Sequence, residues 1–337
     1  MRLLVTGGCG FIGSNFIRTV LRAHPDDRVT NLDKLTYAGN PENVKDLAGD
    51  PRYAFVHGDI CDPEVVDRVA KGADVIINFA AETHVDRSLL DPGAFIKTDV
   101  DGTRVLLEAA RRYGHHRYIQ ISTDEVYGST LGEPFVETDL LRPSSPYAAS
   151  KAGGDLMALA YATTYGVPVI ITRASNNFGP YQYPEKLIPL FITNALDDQP
   201  LPLYGDGLNV RDWLAVEDHC EAIDLVLRRG QVGEIYNVGG GNERNNLEIT
   251  YAILRVLNKP DRLIRKVADR PGHDRRYALS AEKLAGLGFR PRRQFDDALR
   301  ETIEWYRTHE SWWRPIKSGE FRAYYERQYA QRSAHSS

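Results

Sequence analysis

Cysteine is scarce in this sequence, which has 337 residues and only three cysteines, Cys9, Cys61 and Cys220. None of them stands in the CxxC spacing of a zinc or redox site, and an odd, scattered set argues against a disulfide framework. We therefore expect three reduced thiols in a cytoplasmic protein, each acting as a small buried residue. No metal site is expected.

Long apolar runs and a strong charge of either sign are also missing. No stretch approaches the roughly 20 apolar residues that a membrane-spanning helix needs. The opening residues, MRLLVTGG, are too short an apolar run for a secretory signal. The net charge of -4 gives no basis for a nucleic-acid or membrane partner. A globular protein of ordinary composition is the expectation that remains.

The first half of the sequence alternates short apolar runs with stretches of helical periodicity. The runs that predict strands are RLLVTG, RVTNLD, YAFVHGD, DVIINFAA, RYIQIST and PVIITRAS. Residues 11–23 and 100–113 between them place apolar residues at helical spacing. This alternation predicts an α/β fold of Rossmann type, in which helices cover both faces of a doubly wound parallel sheet.

The pattern changes after Asn176, where the segments become irregular and rich in proline. We predict a smaller mixed α/β domain for the substrate, formed by residues 177–209 and about 240–330. The larger domain is predicted to comprise residues 1–176 and about 210–239, because DHCEAIDLVLRR and EIYNVG resemble a helix and a strand returning to it. The tail, 331–337, has little apolar content and is predicted to be frayed.

The first turn of the chain, TGGCGFIGSNF, is rich in glycine and stands between a predicted strand and a predicted helix. Gly7, Gly10 and Gly13 would allow a tight turn and close approach of the backbone to a pyrophosphate. Asp33 ends the second predicted strand, where a carboxylate binds the adenosine ribose and repels a 2′-phosphate. The turn and Asp33 together favour NAD over NADP, and Asp59 is placed for the adenine edge.

Two further motifs carry groups suited to acid–base chemistry. Tyr147 and Lys151 form a YxxxK pair on one face of a predicted helix. We expect the lysine ammonium to lower the pKa of the tyrosine, which makes a base for a hydroxyl proton during hydride transfer. Asp124 and Glu125 follow the strand RYIQIST, at the edge of an α/β sheet where chemistry takes place.

The sequence resembles the extended short-chain dehydrogenase/reductase family and, within it, the dTDP-glucose 4,6-dehydratases. The motifs that carry the resemblance run from residue 3 to about residue 280, and they are TGGCGFIGSN, DKLTYAGN, HGDI, AAETHVDRS, STDEVYG, SPYAASKAGGD, NNFGPYQYPEKLIP, LYGDGLNVRDW and DRPGHDRRY. The resemblance implies NAD as a tightly held cofactor, dTDP-glucose as the substrate, and a homodimer formed through a four-helix bundle. Simple nucleotide-sugar epimerases of the family share the glycine turn and YxxxK but usually lack the Asp–Glu pair.

The resemblance also implies a role for each catalytic side chain. Tyr147 would accept the C4 hydroxyl proton while the C4 hydride passes to NAD. Glu125 would then remove the acidified C5 hydrogen, and Asp124 would protonate the departing C6 hydroxyl. Thr123 matches the threonine that hydrogen-bonds the C4 hydroxyl. Lys151 completes the implied catalytic set.

The implied binding residues fall into two groups. The cofactor group is Gly7, Gly10, Phe11, Ile12, Gly13, Asp33, Lys34, Leu35, Thr36, Asp59, Ile60, Ala80, Ala81, Thr98, Tyr147, Lys151 and Asn177. The substrate group is His84, Thr123, Asn176, Lys186, Leu187, Pro202, Tyr204, Arg211, Asn246, Arg270, His273 and Tyr277. Lys186 and Arg211 would contact the pyrophosphate, for which a guanidinium is well suited.

Three alternatives stay open at this point. The nucleotide could carry uridine, cytidine or guanosine, which would make the chain another nucleotide-sugar 4,6-dehydratase. An NAD-dependent nucleotide-sugar 4-epimerase needs Tyr147, Lys151 and NAD but no acid–base pair. A non-catalytic NAD-binding protein need not keep all four groups, Asp124, Glu125, Tyr147 and Lys151, together.

Overall fold

The computed structural model describes residues 1–269, 272–319 and 321–326. The strands in these ranges are β1 (Arg2–Thr6), β2 (Arg28–Asp33), β3 (Tyr53–His57), β4 (Val75–Asn78), β5 (Arg117–Thr123), β6 (Val169–Ala174), β7 (Asn176–Phe178), β8 (Leu201–Tyr204), β9 (Val210–Ala215), β10 (Ile235–Val238), β11 (Glu243–Asn245) and β12 (Ile264–Val267).

The helices in the same ranges are α1 (Phe11–Ala23), α2 (Pro63–Ala70), α3 (Val85–Ser88), α4 (Pro92–Ile96), α5 (Thr103–Tyr113), α6 (Pro146–Tyr165), α7 (Leu187–Leu196), α8 (Val216–Arg229), α9 (Asn246–Val256), α10 (Glu282–Gly286), α11 (Phe295–Thr308) and α12 (Glu310–Ile316). Short 3₁₀ turns cover Pro41–Leu47, Asp124–Tyr127 and Asp261–Leu263, and a wider π-type turn, Lys97–Gly102, joins α4 to α5.

The large sheet has seven parallel strands in the order β3-β2-β1-β4-β5-β6-β10. The order reverses between β1 and β4, which makes the crevice above these two strands the switch point of a Rossmann-type sheet. The predicted fold class is therefore confirmed. Strands β5 and β6 are buried along nearly their whole length, as expected of central parallel strands covered on both faces.

Each face of the large sheet has its own apolar core. Ile119 of β5 packs into the core that α1 and α8 cover, whereas the next residue back, Tyr118, packs into the core beneath α2, α5 and α6. This alternation follows from the period of two along a strand. Both side chains are fully buried, and burial of such side chains stabilises the fold by about 1.5–3 kcal/mol each.

A third core lies among β8, β9, α7, α9, α11 and α12, with Phe191, Trp213 and Trp313 among its large side chains. Strand β9 pairs with β7 and β11 in a small sheet, so Val210–Ala215 lies on this side although it falls in the segment predicted for the larger domain. Helix α8 and strand β10 do return to the large sheet. The exact division into two domains stays a prediction, and residues 327–337 lie outside the described ranges.

The described residues contain neither a membrane-spanning helix nor a cluster of metal ligands. No helix among them is long and apolar enough to cross a membrane. In the same ranges, no group of three or more His, Cys, Asp or Glu side chains could hold a metal ion. All three cysteines fall within the described part of the chain and are free thiols, two of them buried.

Candidate active site

Two neighbouring cavities open at the carboxyl ends of the large sheet's strands, where ligands bind in open α/β folds. The first, here called the cofactor cavity, has a volume of about 230 Å³ and extends from the glycine turn to Tyr147 and Lys151. The second, here called the substrate cavity, has a volume of about 130 Å³ and extends from Glu125 across to β8 and α9. Glu185 and Lys186 line both, so the two cavities adjoin at these residues.

The glycine turn forms one end of the cofactor cavity. Gly7 has a φ of +71°, and a Cβ there would lie 2.6 Å from the backbone nitrogen of Ala80. Any other residue would be strained and would push β1 away from the loop after β4. Helix α1 starts at Phe11 without a side-chain cap, and its first turn lines the cavity. The amide groups of a helix N-terminus can bind a phosphate there.

Asp33 fixes the turn as well as facing the cavity. One carboxylate oxygen accepts a hydrogen bond from the amide of Cys9 at 2.8 Å, and the other accepts one from the amide of Leu35 at 2.8 Å. Burial raises the pKa of Asp33, and these two amide hydrogen bonds oppose the rise. Nearby, Lys34 forms a 2.8 Å ion pair with Asp59.

Most residues predicted for the cofactor line this cavity. They are Gly7, Gly10, Phe11, Ile12, Gly13, Asp33, Lys34, Thr36, Asp59, Ile60, Ala80, Ala81, Thr98, Tyr147 and Lys151. Leu35 and Asn177 do not. The side chain of Leu35 packs against the core beneath α1, and the amide of Asn177 is hydrogen-bonded to the His219 ring at 2.9 Å and to the Ser175 carbonyl.

Tyr147 and Lys151 lie on the first turns of α6, which Ser145 caps by accepting a hydrogen bond from the amide of Ala148. The Lys151 ammonium donates a 2.8 Å hydrogen bond to the carbonyl of Ile121 in β5. The pKa of Tyr147 is raised well above its usual value, because its phenol is desolvated and because carboxylates of other segments lie near it. The net shift of this pKa is therefore opposite in direction to the lowering expected from Lys151.

Thr123 ends β5, and the 3₁₀ turn that follows carries the two carboxyl groups. The Thr123 hydroxyl accepts a hydrogen bond from the amide of Glu125 at 3.3 Å and donates one to a carboxyl oxygen of Asp124 at 3.2 Å. Burial first, and then the charge of Glu125, raise the pKa of Asp124 well above its usual value. Its second oxygen, Oδ2, is buried and has no hydrogen-bond partner among the described residues. Asp124 is thus placed to hold a proton.

The substrate cavity brings together nearly all residues predicted for the substrate. Those lining it are His84, Asn176, Lys186, Leu187, Pro202, Tyr204, Arg211, Asn246, His273 and Tyr277. Thr123 is not among the residues lining it, although Glu125, two residues later, is. Arg270 lies outside the described residues.

Basic side chains line this cavity, among them Lys186, Arg211 and His273. The Arg211 guanidinium lies 4.1 Å from the centre of the Tyr277 ring and donates a hydrogen bond to the carbonyl of Asp274 at 3.0 Å. Lys186 precedes the first residue of α7. His273 is paired with Asp269 at 2.5 Å and lies edge-on to the Tyr204 ring. The arrangement combines positive charge for a diphosphate with aromatic surfaces for a planar base.

Sequence patterns missed a cluster at the junction of the cavities. The Arg87 guanidinium lies between the rings of Tyr37 and Tyr324, at 3.5 and 4.3 Å from their centres. It pairs with buried Glu185 at 2.9 Å, and the Tyr37 hydroxyl donates to the other oxygen of Glu185 at 2.7 Å. The motif PYQYPEKLIP contains Glu185, but no local signal connects it to Tyr37, 148 positions earlier.

Other lining residues of the cofactor cavity were also missed. They include Leu32, Ala38, Gly39, Gly58, Phe79, Glu82, Thr83, Ile121, Ser122, Gln182 and Tyr183. Most of them flank residues that were predicted, so extending each motif by one or two positions would have found them.

Comparison with known proteins agrees with this geometry. The model of the family described as GDP-mannose 4,6 dehydratase matches residues 4–302. A dTDP-glucose 4,6-dehydratase from Streptomyces niveus is 53% identical over 323 residues, which cover 94% of this chain and 96% of that protein.

Solved structures give the same result. DesIV, a dTDP-glucose 4,6-dehydratase from Streptomyces venezuelae crystallised with NAD, has a TM-score of 0.92 at 54% identity, over 94% of this chain and all of DesIV. A UDP-glucose 4-epimerase from Thermus thermophilus in complex with NAD is more distant, with a TM-score of 0.85 at 34% identity, over 91% of this chain and 99% of the epimerase.

Proposed function

The chain belongs to the GDP-mannose 4,6-dehydratase family, and from that premise we propose that it converts dTDP-glucose to dTDP-4-keto-6-deoxyglucose and water with NAD as a recycled cofactor. The observation that carries the proposal is the placement of Asp124 and Glu125 at the end of β5. Glu125 lines the substrate cavity, while Tyr147 lines the adjoining cofactor cavity. Both carboxyl groups lie near enough to Tyr147 to raise its pKa, so an acid, a base and a hydroxyl-proton acceptor lie together beside the two cavities.

The residues of the cofactor cavity fit NAD. A pyrophosphate fits beside Gly7, where there is no room for a Cβ, and at the uncapped start of α1. The Asp33 carboxylate suits an adenosine ribose. When bound, NAD supplies the acceptor for hydride from C4, the donor of that hydride to C6, and the positive charge of its oxidised ring. Because Asp33 would repel a 2′-phosphate, NADP fits less well.

The chain's own groups move the protons. Tyr147 takes the C4 hydroxyl proton as C4 is oxidised, and Lys151 supplies a positive charge on the same helix. The C4 ketone acidifies the C5 hydrogen, which Glu125 removes. Asp124 gives its proton to the C6 hydroxyl, which leaves as water. After C6 is reduced, Glu125 returns a proton to C5, Tyr147 releases the proton it took from the C4 hydroxyl to solvent, and Asp124 takes a proton from solvent.

The two carboxyl groups suit these opposite roles because their surroundings differ. Burial and the charge of Glu125 keep Asp124 protonated to higher pH, as a general acid requires. Glu125 is less buried and opens onto the substrate cavity. Such separation of two carboxyl groups is how one site provides an acid and a base together.

The substrate cavity supports a nucleoside diphosphate as the carrier of the sugar. Lys186 and Arg211 are proposed to bind the diphosphate. Pro202, Tyr204 and His273 are proposed to contact the base, with Arg270 expected to join them. Thymidine is proposed as the base because the dehydratases at about half identity are named for dTDP-glucose.

A homodimer is proposed through a four-helix bundle made by α5 and α6 with their copies. Its support is a set of apolar side chains left exposed beside or on α6, among them Leu90 (60%), Ile96 (59%) and Leu156 (57%). Sedimentation of Leu156→Glu tests the interface. Val232→Glu, at an apolar residue 45% exposed between α8 and β10, is the matched control and should leave the oligomer intact. We also propose the cytoplasm as its location, since all three cysteines are free thiols.

The deciding experiment is proton NMR of the purified protein incubated with dTDP-glucose in deuterium oxide without added NAD. A new C6 methyl signal with solvent deuterium at C5 is the expected result, and it would also establish that NAD is held through purification. Galactose as product would show a 4-epimerase instead. If neither forms, even with added NAD and with UDP-, CDP- or GDP-sugars, the dehydratase proposal is wrong.

A further inference from the structure

A wide π-type turn, Lys97–Gly102, interrupts the helical run that α4 and α5 would otherwise form. Such turns inside helices occur frequently at functional sites. This one packs directly against the catalytic helix α6, where a Cβ at Gly154 would lie 2.7 Å from the carbonyl oxygen of Asp99. A glycine at position 154 is thus what allows the turn to approach α6 so closely.

The turn directs the Asp99 side chain into the interior, where it is 2% exposed. One carboxylate oxygen accepts a 2.6 Å hydrogen bond from the hydroxyl of Ser150, the residue before Lys151. The other accepts a 3.1 Å hydrogen bond from the amide of Glu82, in the loop that lines the cofactor cavity. The Ser150 hydroxyl also lies 2.8 Å from the carbonyl oxygen of Tyr147. A single carboxylate therefore joins the π-type turn, the loop after β4 and the start of α6.

The charge of Asp99 acts on the same groups. Burial raises the pKa of Asp99 to about 6, while the Lys151 ammonium, the Ser150 hydroxyl and the Glu82 amide oppose the rise. At neutral pH the carboxylate is ionised. The titratable groups that face it are Lys151 and Tyr147 of α6 and the carboxyl group of Glu82. After desolvation and Glu125, Asp99 is the next cause of the raised pKa of Tyr147.

We propose that Asp99 is a positioning residue of the active site, which holds the catalytic helix against the cofactor loop and places a buried negative charge beside Tyr147 and Lys151. The inference rests on the proposed dehydratase function and adds a residue to it. Asp99 contacts neither the hydroxyl of Tyr147 nor the cavity. It therefore acts through its hydrogen bond to Ser150 and through its electrostatic effect on Lys151 and Tyr147.

Asp99→Asn separates the charge from the hydrogen bonds. The asparagine oxygen can still accept from the Glu82 amide, and its NH₂ group can donate to the Ser150 hydroxyl, so the geometry is retained. The rate of reduction of bound NAD by dTDP-glucose is followed against pH in single turnovers. The rising limb of this pH–rate profile is governed by Tyr147. Because a nearby negative charge is removed, the limb should move to lower pH by roughly one unit. Ser150→Ala removes one hydrogen bond but not the carboxyl group, so wherever Asp99 is ionised the rising limb of its pH–rate profile should shift less than that of Asp99→Asn.

A folded Asp99→Asn enzyme with an unshifted limb overturns the proposal, and so does an equal shift in Ser150→Ala. Infrared spectra of the wild-type and Ser150→Ala proteins test it even if Asp99→Asn does not fold or the wild type makes no product. Only the carboxyl group bonded to Ser150 should change its infrared frequency in Ser150→Ala, while the bands of the other buried carboxyl groups stay in place. Identical carboxyl spectra of the two proteins would also overturn the proposal. A wild type without product refutes the dehydratase function separately.

Discussion

Asp124 and Glu125 are consecutive residues, yet Asp124 is 3% exposed and Glu125 opens onto the substrate cavity. The strand β5 ends just before them, and the tight 3₁₀ turn that follows directs neighbouring side chains to different surroundings. Burial can therefore raise the pKa of Asp124 although a second carboxyl group that faces the cavity follows it directly.

Glu125→Gln should separate oxidation from elimination. Tyr147 is unchanged, so bound NAD should still be reduced when dTDP-glucose is added. Loss of the base for the C5 hydrogen should lower the rate of product formation by about 10²–10⁴-fold. Stopped-flow absorbance of the reduced nicotinamide, with NMR of the product, measures both steps. Full turnover in this variant would mean that another group is the base.

Tyr147→Phe should act earlier in the reaction. Phenylalanine keeps the ring but has no hydroxyl to accept the C4 proton, so hydride transfer should fall by about 10²–10⁴-fold. No reduced nicotinamide should accumulate in the same stopped-flow assay. Tyr127→Phe is the matched control, because the Tyr127 hydroxyl bonds to Asn237 and Arg173 in the buried core and not at the cavities. Accumulation of reduced nicotinamide in Tyr147→Phe at the wild-type rate would rule out the assigned role.

Arg87→Met should destabilise the protein. It leaves the buried carboxylate of Glu185 without its ion-pair partner, which costs about 3–5 kcal/mol in the free energy of unfolding. Burial already raises the pKa of Glu185, so losing Arg87 raises it further. The folded state then binds the proton more tightly than the unfolded state, and the loss of stability should shrink as pH falls below the raised pKa. Urea unfolding at several pH values measures this loss in the free energy of unfolding.

Arg111→Met is the control for this prediction, because the Arg111–Glu108 pair lies on the surface of α5 and such pairs contribute little. Its stability should match the wild type at every pH. A similar loss in both variants would mean that the aromatic sandwich and Glu185 have no special role.

Asp99→Asn should stabilise the folded protein at neutral pH. The pKa of Asp99 is raised from 3.8 to about 6, so its ionisation disfavours the folded state as pH rises through this window. Asparagine removes that cost, and the gain should grow from nothing below about pH 4 to on the order of 2–3 kcal/mol above pH 6. Urea unfolding across this range checks the sign, and a loss of stability at neutral pH would contradict it.

Features encoded within one short segment were predicted well from the sequence. The glycine turn, Asp33 and the Asp124–Glu125 pair each depend on a strand and the few residues after it, so local patterns place them. The raised pKa of Tyr147 could not be predicted in this way. It depends on Asp99, Asp124 and Glu125, which approach Tyr147 only when three segments pack together.

The departures of the structure from these local patterns have similar causes. Leu35 and Asn177 adjoin residues that line the cavities. The side chain of Leu35 instead packs against the core beneath α1, and the side-chain oxygen of Asn177 is hydrogen-bonded to the His219 ring. Strand β9 was placed in the larger domain because the helix after it does return there. In each case a competing partner distant in the sequence decided where the side chain or strand lies.

Tyr324 lies 240 residues after His84, yet its hydroxyl is 3.3 Å from the His84 ring and its own ring covers Arg87. During synthesis the glycine turn and the strands around it leave the ribosome long before this residue exists. The cofactor end of the site can thus take shape on the nascent chain before the ring that packs against His84 and Arg87 has been translated. A truncated translation product that stops short of Tyr324 would carry the strands and glycine turn of the cofactor cavity but would leave His84 and Arg87 without this ring.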